Sequence, residues 1–199
     1  MLDRNIPFYN MILRCDHIIN SEIRLPDGYT FRFYEPGDEK EWAKLEYEIG
    51  DFDTMELAEE YFVTNYCQDI NEIKRRCVFV LNQEKQIVGS CIAWHDFRNH
   101  QNVASLHWLI VSPGQQGKHL GKALCQKTMK IFEKLGEFPV YIHTQPWSYV
   151  AVFLYVKMGF WIQKEDTFSH YENQYTQAME VLKKILSKEQ YEELVAHSL

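Results

Sequence analysis

Apolar and polar positions alternate most clearly in YTFRFYE (29–35), where aromatic residues recur at every second place. That period of two predicts a half-buried strand. PDG before it and PGD after it are turn signals. IPFYNMILR (6–14) mixes aromatic and branched residues and is read as a further strand. Asp38 with Glu41 has the spacing of a capping box and predicts a helix over about 39–48, which Gly50 stops. Asp53 and Glu56 repeat that device, and LAEEYFVTNY continues as a second helix. CVFVLN (77–82) and QIVGSCIAWHDF (86–97) read as strands joined by the polar QEKQ. ASLHWLIV (104–111) is too apolar for a one-sided strand and predicts a central strand covered on both faces.

Beyond it, Leu120, Leu124, Ile131 and Leu135 recur at helical spacing over about 117–135, with Gly136 as C-cap. PVYIHT (139–144) is a strand. SYVAVFLYVKM (148–158) is a helix with Ser148 as its N-cap and Gly159 at its end. FWIQKE (160–165) is a short strand, and an amphipathic helical tail runs from about 172, with Ser187 starting a last turn or two. The order predicts one α/β domain over residues 1–199, built on a mixed sheet, with a C-terminal helical extension over 172–197.

At 199 residues, 46% of them apolar, the chain has enough material for one packed core. A net charge of −7 argues against broad nucleic-acid binding, which needs a basic footprint. The five cysteines are scattered without a CxxC, as suits reduced thiols in a cytoplasmic protein. MLDRNIPFYN lacks a secretory apolar core, and no apolar run approaches the roughly 18 residues of a membrane span. The histidines show no paired ligand spacing, so no metal is expected.

The chemistry is concentrated in VSPGQQGKHLGKAL (111–124), where a buried-looking strand meets a glycine- and lysine-containing turn that runs into a helix. It matches neither GxGxxG nor GxxxxGK[ST]. A helix start still offers unpaired N–H groups and the positive dipole end, an anion site. The run resembles the acetyl-CoA-binding motif Q/R-x-x-G-x-G/A of the GNAT N-acetyltransferase superfamily. Gln116 and Gly121 match it, and His119 stands where the family usually has glycine. A second stretch, 148–160, is similar to the family's N-x-x-A-x-x-L-Y-x-x-x-G-F, with Ala151, Leu154, Tyr155, Gly159 and Phe160 in place and Ser148 for the asparagine. The resemblance covers about 29–165. It implies a single-domain fold with a mixed, largely antiparallel sheet and helices on both faces.

It also implies acetyl-CoA as cosubstrate, lying between the strand that ends at Val111 and PVYIHT. The main chain of Leu109 and Val111 would pair with the pantetheine arm. The turn Gln116, Gly117, Lys118, His119, Leu120, Gly121 and Lys122 would cradle the pyrophosphate, and Ser148 would complete the cofactor set. His119 is expected in right-handed helical geometry, still presenting its N–H. Tyr155 takes the place of the family's general acid, against the alternative of a core tyrosine. Ser105 stands where many members carry a glutamate, so His107 becomes the candidate base, on the same strand face as Leu109. A satisfied core histidine is the alternative. His95, Asp96 and Glu46 are weaker candidates.

The implied function is acetyl transfer to a primary amine of a small molecule, without nucleic acid or membrane partners and with a homodimer possible. A non-catalytic acyl-CoA sensor and a protein or peptide N-acetyltransferase stay open beside it. In the family, the first two helices and their loop wall the acceptor site. Here that region carries Glu46, Glu48, Asp51, Asp53, Glu56, Glu59 and Glu60. They form either a solvated acidic face or a lure for a cationic amine, with Trp147 and Tyr149 as apolar surface.

Overall fold

A computed structural model describes residue 3, residues 5–19 and residues 22–199. Its strands are β1 (Met11–Cys15), β2 (Thr30–Phe33), β3 (Cys77–Leu81), β4 (Ile87–Arg98), β5 (Gln101–Val111), β6 (Val140–Thr144) and β7 (Trp161–Ile162). Its helices are α1 (Glu39–Ile49), α2 (Met55–Tyr66), α3 (Ile70–Arg76), α4 (Leu120–Leu135), α5 (Tyr149–Lys157), α6 (Tyr175–Ile185) and α7 (Lys188–Ala196). The strands form one sheet in the order β2-β3-β4-β5-β6-β1-β7, mostly antiparallel, with β5 parallel to β6. This is the mixed α/β fold expected. Among the described residues no helix is long and apolar enough to cross a membrane.

The chain divides into two compact units, one of residues 21–94 and 106–131, the other of residues 2–20, 95–105 and 132–199. In the first, β2, β3 and β4 form an antiparallel meander. Its core gathers Trp42, Phe62, Tyr66, Ile73, Phe79 and Ile92.

Several helix starts differ from those the sequence predicts. Asp38 precedes α1 but does not cap it. Its carboxylate takes both guanidinium nitrogens of Arg32 at 2.8 Å and the Glu35 N–H at 2.7 Å. Charge-assisted bidentate pairing outbids a single capping bond. Gly50 ends α1 in the left-handed conformation, as expected. The cap of α2 is Thr54 rather than Asp53, its hydroxyl accepting from the Leu57 N–H. α3 was not anticipated, although its signals are present. Asp69 accepts from the Asn71 and Glu72 N–H groups, and Lys74, Arg75 and Arg76 fill the last turn.

α3 also carries a buried cation. Arg76 is 2% exposed; its Nε lies 2.6 Å from Glu72, and its guanidinium also reaches the Ala93 carbonyl at 3.3 Å. Hydrogen bonds from Arg76, then from Arg75, hold the Glu72 carboxyl below its usual range. Glu72→Ala should therefore destabilise the chain by about 1.5–3 kcal/mol, because it removes a charge-assisted hydrogen bond from a buried guanidinium. A folded-state value below the unfolded one means this stability is present above about pH 4.5 and is lost as pH falls through the depressed value. Urea unfolding of the two chains at neutral and acid pH checks both, and their stabilities should converge at the acid end.

In the second unit, β1 lies between β6 and β7 and is antiparallel to both. It begins later than the stretch 6–14 suggests, at Met11, and the Asn10 N–H and carbonyl pair with Gln174 instead of with a neighbouring strand. No strand follows β7 among the described residues; the chain continues into α6 and α7, as the amphipathic tail predicts. Ser187 starts α7 with a full capping box to Gln190. Residues 197–199 then pair along β7 through Ile162–His197, Leu199–Ile162 and Lys164–Leu199 bonds of 2.7–2.9 Å. They cover an edge that would otherwise present bare backbone groups. Ser148 is not a side-chain cap for α5. A single 3-10 turn, Pro146–Ser148, already leads into the helix, and the Ser148 hydroxyl accepts from Gln145 Nε2 at 2.8 Å.

Candidate active site

In the first unit, β5 ends at Val111 and a 3-10 turn follows at Pro113–Gln115. Gln116 is extended and its side chain donates back to the Val111 carbonyl at 3.1 Å. Gly117 then takes φ 78° and His119 φ 62°, and α4 starts at Leu120. The expectation of right-handed geometry at His119 is thus overturned. The place where the family usually has glycine is left-handed here, and the histidine occupies it at a cost of roughly 1–2 kcal/mol. Histidine is among the non-glycine residues that tolerate that region best.

Residues 116–119 are exposed, and the first turn of the 16-residue α4 holds no acid. The turn therefore presents main-chain donors at the positive end of a long helix, a fit for a diphosphate. Lys118 is committed locally, its Nζ bonding to Tyr29 Oη at 2.9 Å and Gln115 Oε1 at 2.6 Å. Lys122 is exposed in the first turn of the helix.

Within β5 the regular alternation breaks. Trp108 has φ 50°, which for a bulky residue is an outlier. One left-handed residue inside a strand re-aims side chains, as a bulge does. His107 and Trp108 both reach the same aromatic cluster instead of opposite faces. His107 Nδ1 lies 2.8 Å from Tyr66 Oη, and Trp108 rings pack on Trp42 and Tyr61 at centroid distances of 5.5 and 5.3 Å. The expectation that His107 and Leu109 share one face is corrected on that account. Nothing in ASLHWLIV marks this break.

Tyr66 is a hub. Its hydroxyl lies 2.8 Å from His107 Nδ1, and its ring meets those of Tyr61, Trp94 and His107. Burial, before any other cause, pushes its phenol up, so the proton stays on. When the Tyr66 hydroxyl accepts from His107 Nδ1–H, the imidazole keeps its lone pair on Nε2, where a base needs it.

Glu46 differs from the other carboxylates of α1 and α2. Glu48, Asp51, Asp53, Glu56 and Glu60 are exposed and Glu59 is half-buried. Glu46 is 1% exposed, and neither carboxyl oxygen has a hydrogen-bond partner. Burial first, then Asp51, raises it well above the carboxylate range.

In the second unit, Tyr155 lies on α5, 6% exposed, its ring centroid 5.9 Å from that of Phe160. Gly159 ends the helix with φ 95°. His95 Nε2 lies 3.2 Å from Glu137 Oε1, a pairing that gives it a local role.

Residues 38–160, more than half of the chain, match the model of the acetyltransferase (GNAT) family. The chain belongs to that family. Solved structures with the same fold include a GCN5-related N-acetyltransferase from Sphaerobacter thermophilus, with TM-score 0.59, 18% identity and coverage of 77% of this chain and 48% of that one. This chain therefore spans about half the length of that protein. Another is a GCN5-related N-acetyltransferase from Kribbella flavida, with TM-score 0.55, 20% identity and coverage of 66% and 82%. A variant of the spermidine N-acetyltransferase SpeG from Vibrio cholerae gives TM-score 0.51, 21% identity and coverage of 67% and 80%. Among curated proteins no significant match was found.

Proposed function

We propose that this protein moves an acetyl group from acetyl-CoA to the primary amine of a small molecule. The observation that carries the reading is the turn at 116–119. Two left-handed residues there open a long helix that has no acid in its first turn. In an acetyltransferase family member this is a built receptor for the coenzyme A pyrophosphate. The main-chain N–H groups of Gly117–Lys122 are its donors, Gln116 braces the turn, and Lys122 adds charge. The main chain of Leu109 and Val111 lines the pantetheine arm, and the Leu109 N–H donates to the acetyl oxygen as it gains charge. Ser148 stands at the cofactor-side position of the second motif.

Acetyl-CoA supplies an acetyl group activated as a thioester. His107 Nε2 takes a proton from the incoming ammonium, so that nitrogen has a lone pair to attack with. As the C–N bond forms and the C–S bond breaks, the Tyr155 hydroxyl gives its proton to the leaving thiolate, and the second proton that the nitrogen sheds on becoming an amide restores the tyrosine. Isothermal titration with CoA, followed by a screen of amines for CoA release, tests the assignment. No saturation at millimolar CoA overturns it. Saturation without release by any amine favours the sensor alternative instead.

His107 gives a sharper check. A protonated imidazole cannot accept a proton, so kcat/KM should fall as pH drops through the histidine range. His107→Ala should lower the rate by roughly a hundredfold and remove that acid limb. A profile of unchanged shape and height would return His107 to the core.

A further inference from the structure

α1 carries two buried polar groups without partners on one face. Trp42 is fully buried and its indole Nε1 has no acceptor; Glu46, one turn on, has two unpartnered oxygens. Buried polar atoms in native proteins almost always find partners, so two orphans at i and i+4 require a reason. Around Trp42 stands a closed set of rings. Trp42, Phe52, Tyr61 and Trp108 contact one another in all six pairings, with centroids 5.3–6.3 Å apart. Phe52, Tyr61 and Trp108 are only half-buried, so part of the set is reachable from solvent. Trp108 enters it through the strained residue of β5, at φ 50°. Strain held at one residue so that an indole completes a ring cluster marks a site rather than passive packing. The same cluster touches Tyr66, and through it His107.

Aromatic faces attract cations, and the buried carboxyl of Glu46, one turn after Trp42 on α1, supplies a countercharge. We propose that Trp42, Phe52, Tyr61, Trp108 and Glu46 form the recognition site for a singly charged ammonium carried on an apolar or aryl body. One buried carboxyl provides for one charge, and the four rings provide for the hydrocarbon. In the complex the Glu46 carboxylate accepts from the ammonium N–H. The exposed carboxylates Glu48, Asp51 and Asp53 draw cations toward this region without desolvating them. That this ammonium is the acetyl acceptor rests on the transfer reaction proposed above; its binding does not.

The experiment titrates the full chain with phenethylammonium, spermidine and 3-phenylpropionate, with and without CoA, following tryptophan fluorescence and the indole N–H resonances. Phenethylammonium should saturate the protein and shift the Trp42 indole signal. Glu46→Gln should weaken it at least tenfold, and 3-phenylpropionate should bind at least tenfold more weakly than the amine. Glu46→Leu should abolish amine binding yet raise the melting temperature, because it replaces orphaned polar atoms with apolar ones. The proposal falls if Glu46→Gln binds as the wild type does, if the carboxylate probe binds as well as the amine, if spermidine binds more tightly than phenethylammonium, or if no amine binds under either condition. It falls equally if Glu46→Leu lowers the melting temperature, since Glu46 would then be structural. The two readings separate cleanly. Loss of CoA saturation with amine binding intact sinks the transferase reading alone. CoA saturation without amine binding sinks this one alone.

Discussion

Tyr155→Phe should lower kcat by about a hundredfold or more, with CoA affinity nearly unchanged. The substitution removes one oxygen and leaves the ring. Tyr155 is 6% exposed and packs against Phe160, and that contact belongs to carbon atoms the phenylalanine keeps. The fold should therefore be preserved, and any loss of rate reports the hydroxyl. A general acid acts only as the thiolate leaves, so its removal falls on kcat rather than on ground-state binding. Single-turnover acetylation, with CoA affinity from titration, checks the split. If Tyr155 is a core residue, single-turnover rate and affinity both stay at wild-type values. Tyr155→Ala would not discriminate, because the cavity would destabilise α5 along with the chemistry.

Periodicity made most elements visible. The alternation of 29–35, the unbroken apolar run of β5 and the helical spacing of α4 are each imposed by burial on one or both faces, so the pattern is a direct imprint of the fold. Caps were less legible, because a capping side chain competes with non-local partners. Asp38 has the right spacing for α1, yet Arg32 on β2 claims it. α3 is seven residues long and polar, too short for a period to stand out, though Asp69 and the trailing basic residues were there to be read. The place of β1 between β6 and β7 is a long-range pairing that local sequence does not encode.

The turn at 116–119 was legible as a motif, since Gln116, Gly117 and Gly121 are spaced in the sequence itself. The conformation of His119 was not, since it concerns one dihedral angle. Nor was the break at Trp108, on which the surroundings of His107 depend. The acidic run of α1 and α2 could be seen, but not that Glu46 alone turns inward while Glu48, two positions on, stays in solvent. A shift of 100° per residue separates those two fates, and only the packed helix decides which position faces the core.

Gly117 and His119 should respond to substitution with opposite signs. Both sit in the left-handed region, at φ 78° and 62°. At Gly117 nothing lies within 4 Å of the place a Cβ would take, so a new side chain meets open space and the penalty comes from the backbone alone. Valine, branched at Cβ, is among the residues least suited to that conformation. Gly117→Val should cost about 1–3 kcal/mol locally, and the turn would rebuild rather than hold its angle. Rebuilding misdirects the main-chain donors that precede α4, so CoA affinity should fall by roughly tenfold to a hundredfold. His119→Gly runs the other way. It removes a strain of about 1–2 kcal/mol, less the roughly 0.5–1 kcal/mol that glycine's extra freedom takes back in the unfolded chain. The net effect is a small gain in stability, with CoA affinity equal to or above that of the wild type. CoA titration and denaturant unfolding of both variants supply the test. Tighter binding by Gly117→Val, or a tenfold loss in His119→Gly, would mean that side chains rather than backbone geometry hold the ligand, and the anion site would have to be placed elsewhere.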